Sequence, residues 1–226
     1  MNLGDTGRDG ILDAGGDNIS ITKPGGYEVR LDLENPDYSY ELRLTGFDRR
    51  GIFGTNGQIL DINTREDIAI FNNGYAVLKF KNITSDGQSG SNVEFPDTDF
   101  PMFRLADAYL MAAEAILRGA SGASKAKAVD YVNIVRTRAY SGAAGNITES
   151  DLNLDYILDE RARELYWECH RRTDLVRFNK FTTADYLWAW KGGVSQGQAV
   201  DSRFNIFPIP SADISANPKL VQNPGY

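Results

Sequence analysis

The sequence predicts a mainly α-helical protein with large irregular loops and a few short strands. Two segments between residues 105 and 139 repeat their apolar residues at helical spacing, and a longer charged segment of helical character follows them. Residues 1 to about 100 are instead rich in Gly, Asn and Asp and show little helical periodicity. We therefore expect an irregular, loop-rich part over residues 1–100 and a helical part over residues 101–226.

Short regions of the first part alternate apolar and polar residues, as β-strands do. The alternation runs over residues 27–33, stops at an Asn-Pro-Asp sequence over 35–37 and resumes over 38–44, which predicts a hairpin with a short turn. A helix that begins within residues 35–37 is the alternative. Residues 74–82 form a second candidate strand because their apolar residues also alternate.

The second part begins with two predicted helices. The helical spacing of apolar residues ends at Gly119, and Ser124 can cap the N-terminus of the next helix. The two apolar stripes consist of Leu105, Tyr109, Ala113 and Ile116, and of Val129, Val132, Val135 and Ala139. Together they predict a helical hairpin of the size found in TPR repeats, which buries its faces only when neighbouring helices are present.

A single long helix is predicted next, from about Glu149 to Phe178. Thr148 and Asp151 have the spacing of a capping box at its N-terminus. Its apolar stripe is narrow, and its other faces are densely charged.

The charged faces of this helix predict a structural salt-bridge network. Glu160 and Glu164 have a spacing that repels unless an arginine bridges them, and Arg161 and Arg171 are the candidates for that bridge. Carboxylates surrounded by arginine stay ionised, whereas a glycosidase needs one protonated general acid. The expected ion pairs are Asp159 with Arg163 and Glu168 with Arg172.

The composition argues against several classes of function. A formal net charge of −7 repels nucleic-acid phosphates, so no nucleic acid is expected as a partner. Cys169 and His170 are the only cysteine and histidine, which excludes an intrachain disulfide and a Cys/His metal cluster and disfavours nucleophilic catalysis. The sequence has no EF-hand or P-loop spacing and no bilayer-spanning apolar run, and we expect no cofactor and no metal.

Four segments of the helical part and the tail resemble, in the same order, the SusD/RagB family. They are RLADAYLMAAEAILR, VNIVRTRA, ILDERARELYWECHRRTDLVRF and FPIPSADISANPKLVQNPGY. The segments DRRGIFGTNGQILDI and GYAVLKFKN are also similar to the family's middle region, so the resemblance covers about residues 48–226.

The resemblance implies a protein on the surface of a Gram-negative outer membrane. Such a protein holds an oligosaccharide or polysaccharide and delivers it to a SusC-type TonB-dependent transporter, without acting as an enzyme. The resemblance also implies a longer protein, with further helix pairs and a lipid anchor in an N-terminal part as its attachment to the membrane. RRTDLVRF, WAWKGGV and NIFPIP resemble starch-binding members, which favours an α-glucan as the ligand.

The resemblance places the glycan contacts in loops between residues 46 and 80. Phe53, Asn56, Tyr75 and Lys79 are the candidate ligand-binding residues there. In the alternative interpretation, the glycines of these loops form turns and the aromatic residues pack beneath them.

Trp188 and Trp190 are further candidates, because aromatic rings stack on the CH faces of sugars. Packing or a contact with the transporter is the favoured role of these two residues, since aromatic side chains more often serve a core or an interface.

Two other functions compete with glycan binding. A TPR-type protein–protein adaptor would bind no sugar, but a single hairpin is too little for a concave peptide groove. A glycoside hydrolase would need two carboxyl groups with separated pKa values, and the sequence offers no convincing pair.

Overall fold

The computed structural model confirms the predicted mainly helical class. Two compact units divide the chain: Met1–Ile62 with Glu66–Glu168, and Asn63–Arg65 with Cys169–Tyr226. The predicted division near residue 100 concerns composition and stays a prediction. The structure describes residues 18–23, 27–32, 48, 50, 53–54, 59, 62, 64, 66–70, 73–74, 76–77, 79–80, 82, 88–92 and 94–226.

Strands β1 (Asn18–Lys23) and β2 (Tyr27–Asp32) form an antiparallel pair in which Asn18 lies opposite Asp32. The predicted strand at 27–33 is thus confirmed, but its described partner precedes it in the chain. The partner predicted over 38–44 lies outside the described residues.

A second small sheet pairs β3 (Phe53–Gly54) with β4 (Ala76–Val77) in antiparallel register. The strand predicted over 74–82 was therefore too long, because the backbone at Lys79 and Phe80 bends. At this bend the side chain of Lys79 reaches the end of a helix 85 residues further along the chain.

The predicted helical hairpin is confirmed as α1 (Leu105–Leu117) packed against α2 (Lys125–Tyr140). Gly119 follows α1 with a φ of 96°, and the Ser124 hydroxyl accepts a hydrogen bond from the Lys127 amide. The stripe of α2 is buried as predicted, but α1 is rotated so that Leu105 is exposed. The buried residues of α1 are Asp107, Leu110, Ala113 and Glu114.

The predicted long helix was wrong, because two helices occupy this stretch: α3 (Leu154–Leu165) and α4 (Arg171–Arg177). Trp167 and Cys169 between them have φ values of 60° and 62°, which no α-helix contains. The predicted capping box was also wrong as the start of the helix. Asn153 caps α3 by accepting from the Tyr156 amide, while Thr148 and Asp151 bond to each other in the preceding turn.

The second unit contains α4, a short α5 (Ser211–Ala216) and long loops. Its C-terminal tail is bonded to residues 203–209. The Gln222 side-chain amide accepts from the Ile209 amide at 2.8 Å and donates to the Ile209 carbonyl at 2.9 Å. The Tyr226 hydroxyl donates to the Ile206 carbonyl at 2.9 Å. As predicted, the proline-rich tail is not a regular helix throughout.

Within the described residues, no helix is long and apolar enough to cross a membrane. The same part of the chain has no group of three or more His, Cys, Asp or Glu side chains placed to hold a metal ion.

Candidate binding site

A cluster of buried carboxylates lies along the C-terminal half of α3 and just beyond it. Glu160, Glu164 and Glu168 follow one another at intervals of four residues, and each is nearly inaccessible to solvent. Three like charges this close would destabilise the fold if they were unpaired. The partners of these carboxylates therefore decide whether they can take part in acid–base chemistry or serve to stabilise the fold.

Arginines from several parts of the first unit pair with these carboxylates. Glu160 accepts from Arg50 at 2.7 Å, from Arg136 at 2.7 Å and from Arg163 at 2.8 Å. A fully buried carboxylate with three guanidinium partners is held ionised.

Glu164 and Glu168 are equally well paired. Glu164 accepts from Arg50 at 3.0 Å and from Arg104 and Arg138 at 2.5 Å each. Glu168 accepts from Arg104 Nε at 2.6 Å and from the Lys79 ammonium group. The predicted salt-bridge network is present. We use the name charge cluster for Glu160, Glu164 and Glu168, for the arginine and lysine side chains that pair with them, and for Asp48, which pairs with Arg50.

Arg50 provides the bridge between Glu160 and Glu164 that the sequence assigned to Arg161 or Arg171. Arg161 donates to Asp107 on α1 at 2.7 Å, and Arg171 donates to the hydroxyl of Tyr186. The predicted pairing of Glu168 with Arg172 is also corrected, because Arg172 donates to the Phe204 carbonyl at 2.7 Å.

Lys79 caps the C-terminal end of α3. Its ammonium group donates to the Glu164 carbonyl at 2.7 Å, to the Tyr166 carbonyl at 3.0 Å and to the Glu168 carboxylate. A positive charge at a helix C-terminus is favourable, and an ammonium group has three donors, all used here. In this arrangement Lys79 has no donor left for a ligand and anchors its own segment to α3.

The cations of the charge cluster keep its carboxylates acidic. Burial alone would raise the pKa of Glu160, but the charges of Arg50, Arg163 and Arg136 outweigh it and lower that pKa below its usual value. Burial would also raise the pKa of Glu168, but the hydrogen bonds from Arg104 and Lys79 outweigh this effect and lower that pKa. The pKa of Asp48 is lowered in the same way, chiefly by Arg50.

These lowered pKa values predict a loss of stability in acid. In the unfolded chain the same carboxyl groups titrate at about 4. Between the folded and the unfolded pKa the folded state therefore binds fewer protons than the unfolded chain, so the stabilisation that is present above the unfolded pKa is lost as the pH falls through the folded pKa. Urea unfolding at several pH values should show a steep fall in the free energy of unfolding below about pH 5. Stability unchanged between neutral pH and about pH 4 would contradict this assignment.

The second unit contains an open cleft with an aromatic lining. Its volume is ≈ 600 Å³, which lies in the range of pockets that hold ligands. We call it the aromatic cleft. Its walls are formed by Arg172, Phe181, Trp188, Lys191, Gly192, Val200, Phe204, Ile206, Phe207, Pro208 and Tyr226.

Lys191 organises one wall of the aromatic cleft. Its buried ammonium group donates to the carbonyls of Thr183 at 2.6 Å and Tyr186 at 2.7 Å, and lies 3.3 Å from that of Lys180. The same nitrogen lies 4.6 Å from the centre of the Trp188 ring. Burial lowers the pKa of Lys191. One side chain thereby closes the loop over residues 180–191 and supports the tryptophan.

The structure separates the two predicted tryptophans. Trp188 lines the aromatic cleft and stacks on Phe181, with ring centres 6.1 Å apart. Trp190 is not among the residues of the cleft, and its φ of 66° places it in a turn. Arg172, Phe204 and Phe207 of the cleft were not predicted as site residues from the sequence, although Arg172 lies in RRTDLVRF and Phe207 in NIFPIP, two segments that resemble the family.

The other predicted ligand residues are only partly described. Phe53 lies in β3, but its side chain, like Asn56 and Tyr75, falls outside the described residues. Their glycan contacts stay predictions. Arg50 and Lys79, on either side of β3 and β4 in the chain, attach this region to the charge cluster.

Comparison of the sequence with known proteins gives matches over most of the chain. The model of the SusD family matches residues 62–226. The starch-binding protein SusD of Bacteroides thetaiotaomicron is 42% identical over 187 residues, which are 82% of this chain and 32% of that protein. SusD-like protein P2 of Formosa agariphila is 31% identical over 148 residues, which are 62% of this chain and 28% of that protein.

A comparison of structures agrees with the sequence matches. The crystal structure of a SusD superfamily protein from Parabacteroides distasonis is 25% identical, with a TM-score of 0.50. The similarity covers 89% of this chain and 43% of that one. The chain spans about a third of the length of the two curated relatives.

Proposed function

The chain belongs to the SusD family, and from this premise we propose that it captures a polysaccharide or oligosaccharide at the cell surface. The captured glycan would pass to a SusC-type TonB-dependent transporter in the outer membrane. The observation that carries the proposal is the 42% identity, over 82% of the chain, to a protein named for starch binding. An α-glucan is accordingly the first ligand to test.

The charge cluster supports this proposal by anchoring the region that we expect to contact the glycan. Arg50 and Lys79 hold the two ends of the candidate region to α3 through Glu160, Glu164 and Glu168. A rigid support reduces the entropy lost when a loop orders around a ligand. Phe53 and Tyr75 would then stack on sugar CH faces while Asn56 bonds to hydroxyl groups.

We propose binding without hydrolysis. A glycosidase needs one carboxyl group whose pKa is raised so that it can act as a general acid. The carboxylates of the charge cluster are instead paired with cations, and the pKa values of Glu160 and Glu168 are lowered. The pairing of these carboxylates supports a structural role for them.

A protein–protein adaptor without sugar binding is the second candidate function. It is favoured by the exposed apolar side chains before and on α1, among them Phe95, Phe103 and Met111. The two functions differ in one measurable property, which is affinity for sugar.

Titration calorimetry of the chain against soluble polysaccharides, maltoheptaose and starch included, tests the proposal. We expect binding of at least one glycan, with no release of reducing ends. Tyr75→Ala should weaken that binding by about fivefold, because a stacked ring contributes about 1 kcal/mol.

Trp167→Ala is the matched control, since this aromatic side chain is exposed and lies outside the candidate region. Its glycan affinity should equal that of the unmodified chain. Release of reducing ends would indicate an enzyme, and the absence of binding to every glycan would favour the adaptor.

A further inference from the structure

The aromatic cleft has a cation without an acidic partner. The Arg172 guanidinium group lies 3.9 Å from the centre of the Phe207 ring and 5.0 Å from that of Phe181. Its one hydrogen bond goes to the Phe204 carbonyl, and no carboxylate in the described part of the chain pairs with it. The cleft therefore combines aromatic walls with an arginine that has donors to spare.

The charge of the second unit is opposite to that of the whole chain. Between Cys169 and Tyr226 seven side chains are lysine or arginine and four are aspartate, whereas the complete chain has a net charge of −7. A basic unit on an acidic chain favours an acidic occupant of the cleft. The aromatic lining favours an occupant that also brings apolar side chains, because the rings can bury them.

A segment of the first unit has the matching chemistry. The segment Glu94–Phe103 has no helix or strand and exposes large apolar side chains between acidic ones. Phe95 and Phe100 are 69% and 58% exposed, and Phe103 is 86% exposed. Contiguous apolar exposure of this kind marks an interaction site.

Two prolines prepare this segment for binding. Phe95 and Phe100 each precede a proline, which favours an extended backbone at both positions. An extended segment that is already restricted loses less entropy when it binds. Asp99, next to Phe100, is exposed and can approach a cation on another molecule.

We propose that the aromatic cleft of one molecule binds the segment Glu94–Phe103 of a second molecule. Phe100 or Phe103 enters between the aromatic walls, and Asp99 pairs with Arg172. The two surfaces differ, so the contact is head-to-tail and extends to chains of molecules or closes into a ring. The proposal does not depend on glycan binding.

Sedimentation velocity of the full chain over a concentration series tests the association. One aromatic anchor and one charge pair predict a dissociation constant of about 10–100 μM. Arg172→Glu, Asp99→Lys and the exposed-ring variants Phe207→Ala and Phe103→Ser should each weaken association by about tenfold or more. Lys219→Glu, an exposed charge reversal outside the cleft, should leave it unchanged.

Mixing complementary variants is the sharpest test, because a head-to-tail contact has two different halves. Phe207→Ala, which damages the cleft, and Asp99→Lys, which damages the segment, should each be monomeric alone, yet form a dimer and nothing larger when mixed, because Arg172 of the damaged cleft repels the lysine of the damaged segment. In that dimer the intact cleft of one variant holds the intact segment of the other. A chain that stays monomeric up to about 1 mM, or association that the variants leave unchanged, would overturn the proposal.

Glycan titrations of the same variants separate this proposal from the proposed function. Their glycan affinity should equal that of the unmodified chain. A glycan that binds more weakly to Phe207→Ala, or that competes with self-association, would instead make the aromatic cleft a sugar site and overturn the proposed occupant.

Discussion

Replacing Glu160 by glutamine is expected to lower the free energy of unfolding by about 3–5 kcal/mol. The change keeps the size of the side chain but removes the charge that Arg50, Arg136 and Arg163 share. Removing one partner of a buried ion pair leaves the remaining charges without compensation, which costs more than the pair contributes. Urea unfolding followed by circular dichroism at neutral pH measures the effect.

Asp130→Asn is the matched control for this prediction. Asp130 lies 3.5 Å from Lys127 on the exposed surface of α2 and undergoes the same change from carboxylate to amide. We expect a cost below about 0.5 kcal/mol, since exposed pairs at this spacing contribute little. Equal effects of the two variants would show that the charge cluster does not hold the first unit together.

Lys191→Met is expected to destabilise the second unit by about 3 kcal/mol. Methionine fills similar space but leaves the carbonyls of Thr183 and Tyr186 without their buried donor. The loop over residues 180–191 should then open, and Trp188 should lose the cation above its ring.

Hydrogen exchange over residues 180–191, together with near-ultraviolet circular dichroism, measures this change. Lys219→Met, at an exposed position of the same unit, should alter neither signal. Unchanged exchange in Lys191→Met would mean that the loop is held by its other contacts, and the role given to Lys191 would be wrong.

Two of the candidate ligand-binding residues show what residue type alone can indicate. Trp188 is partly exposed and lines the aromatic cleft, and its role in ligand binding stays a prediction. Lys79 is a candidate as well, and the acceptors that it contacts in the structure lie 85 to 89 residues away. Nothing near Lys79 in the sequence indicates which helix end it reaches.

The sequence by itself determined the hairpin of α1 and α2, the Ser124 cap and the presence of a salt-bridge network. These features depend on neighbours within a few residues, where helical spacing and capping chemistry are local. The sequence also sufficed to recognise the family, because the family's motifs follow one another in order along the chain.

Only the tertiary structure decided where α3 ends, which arginine joins Glu160 to Glu164 and which residues form the aromatic cleft. Lys79 and Arg104 bond to the carbonyl of Glu164 and so satisfy the end of a helix that the sequence pattern would continue. Arg50 reaches Glu160 across 110 residues. Such contacts depend on chain segments that meet only after folding, and buried charges find their partners by distance in space, not by spacing in sequence.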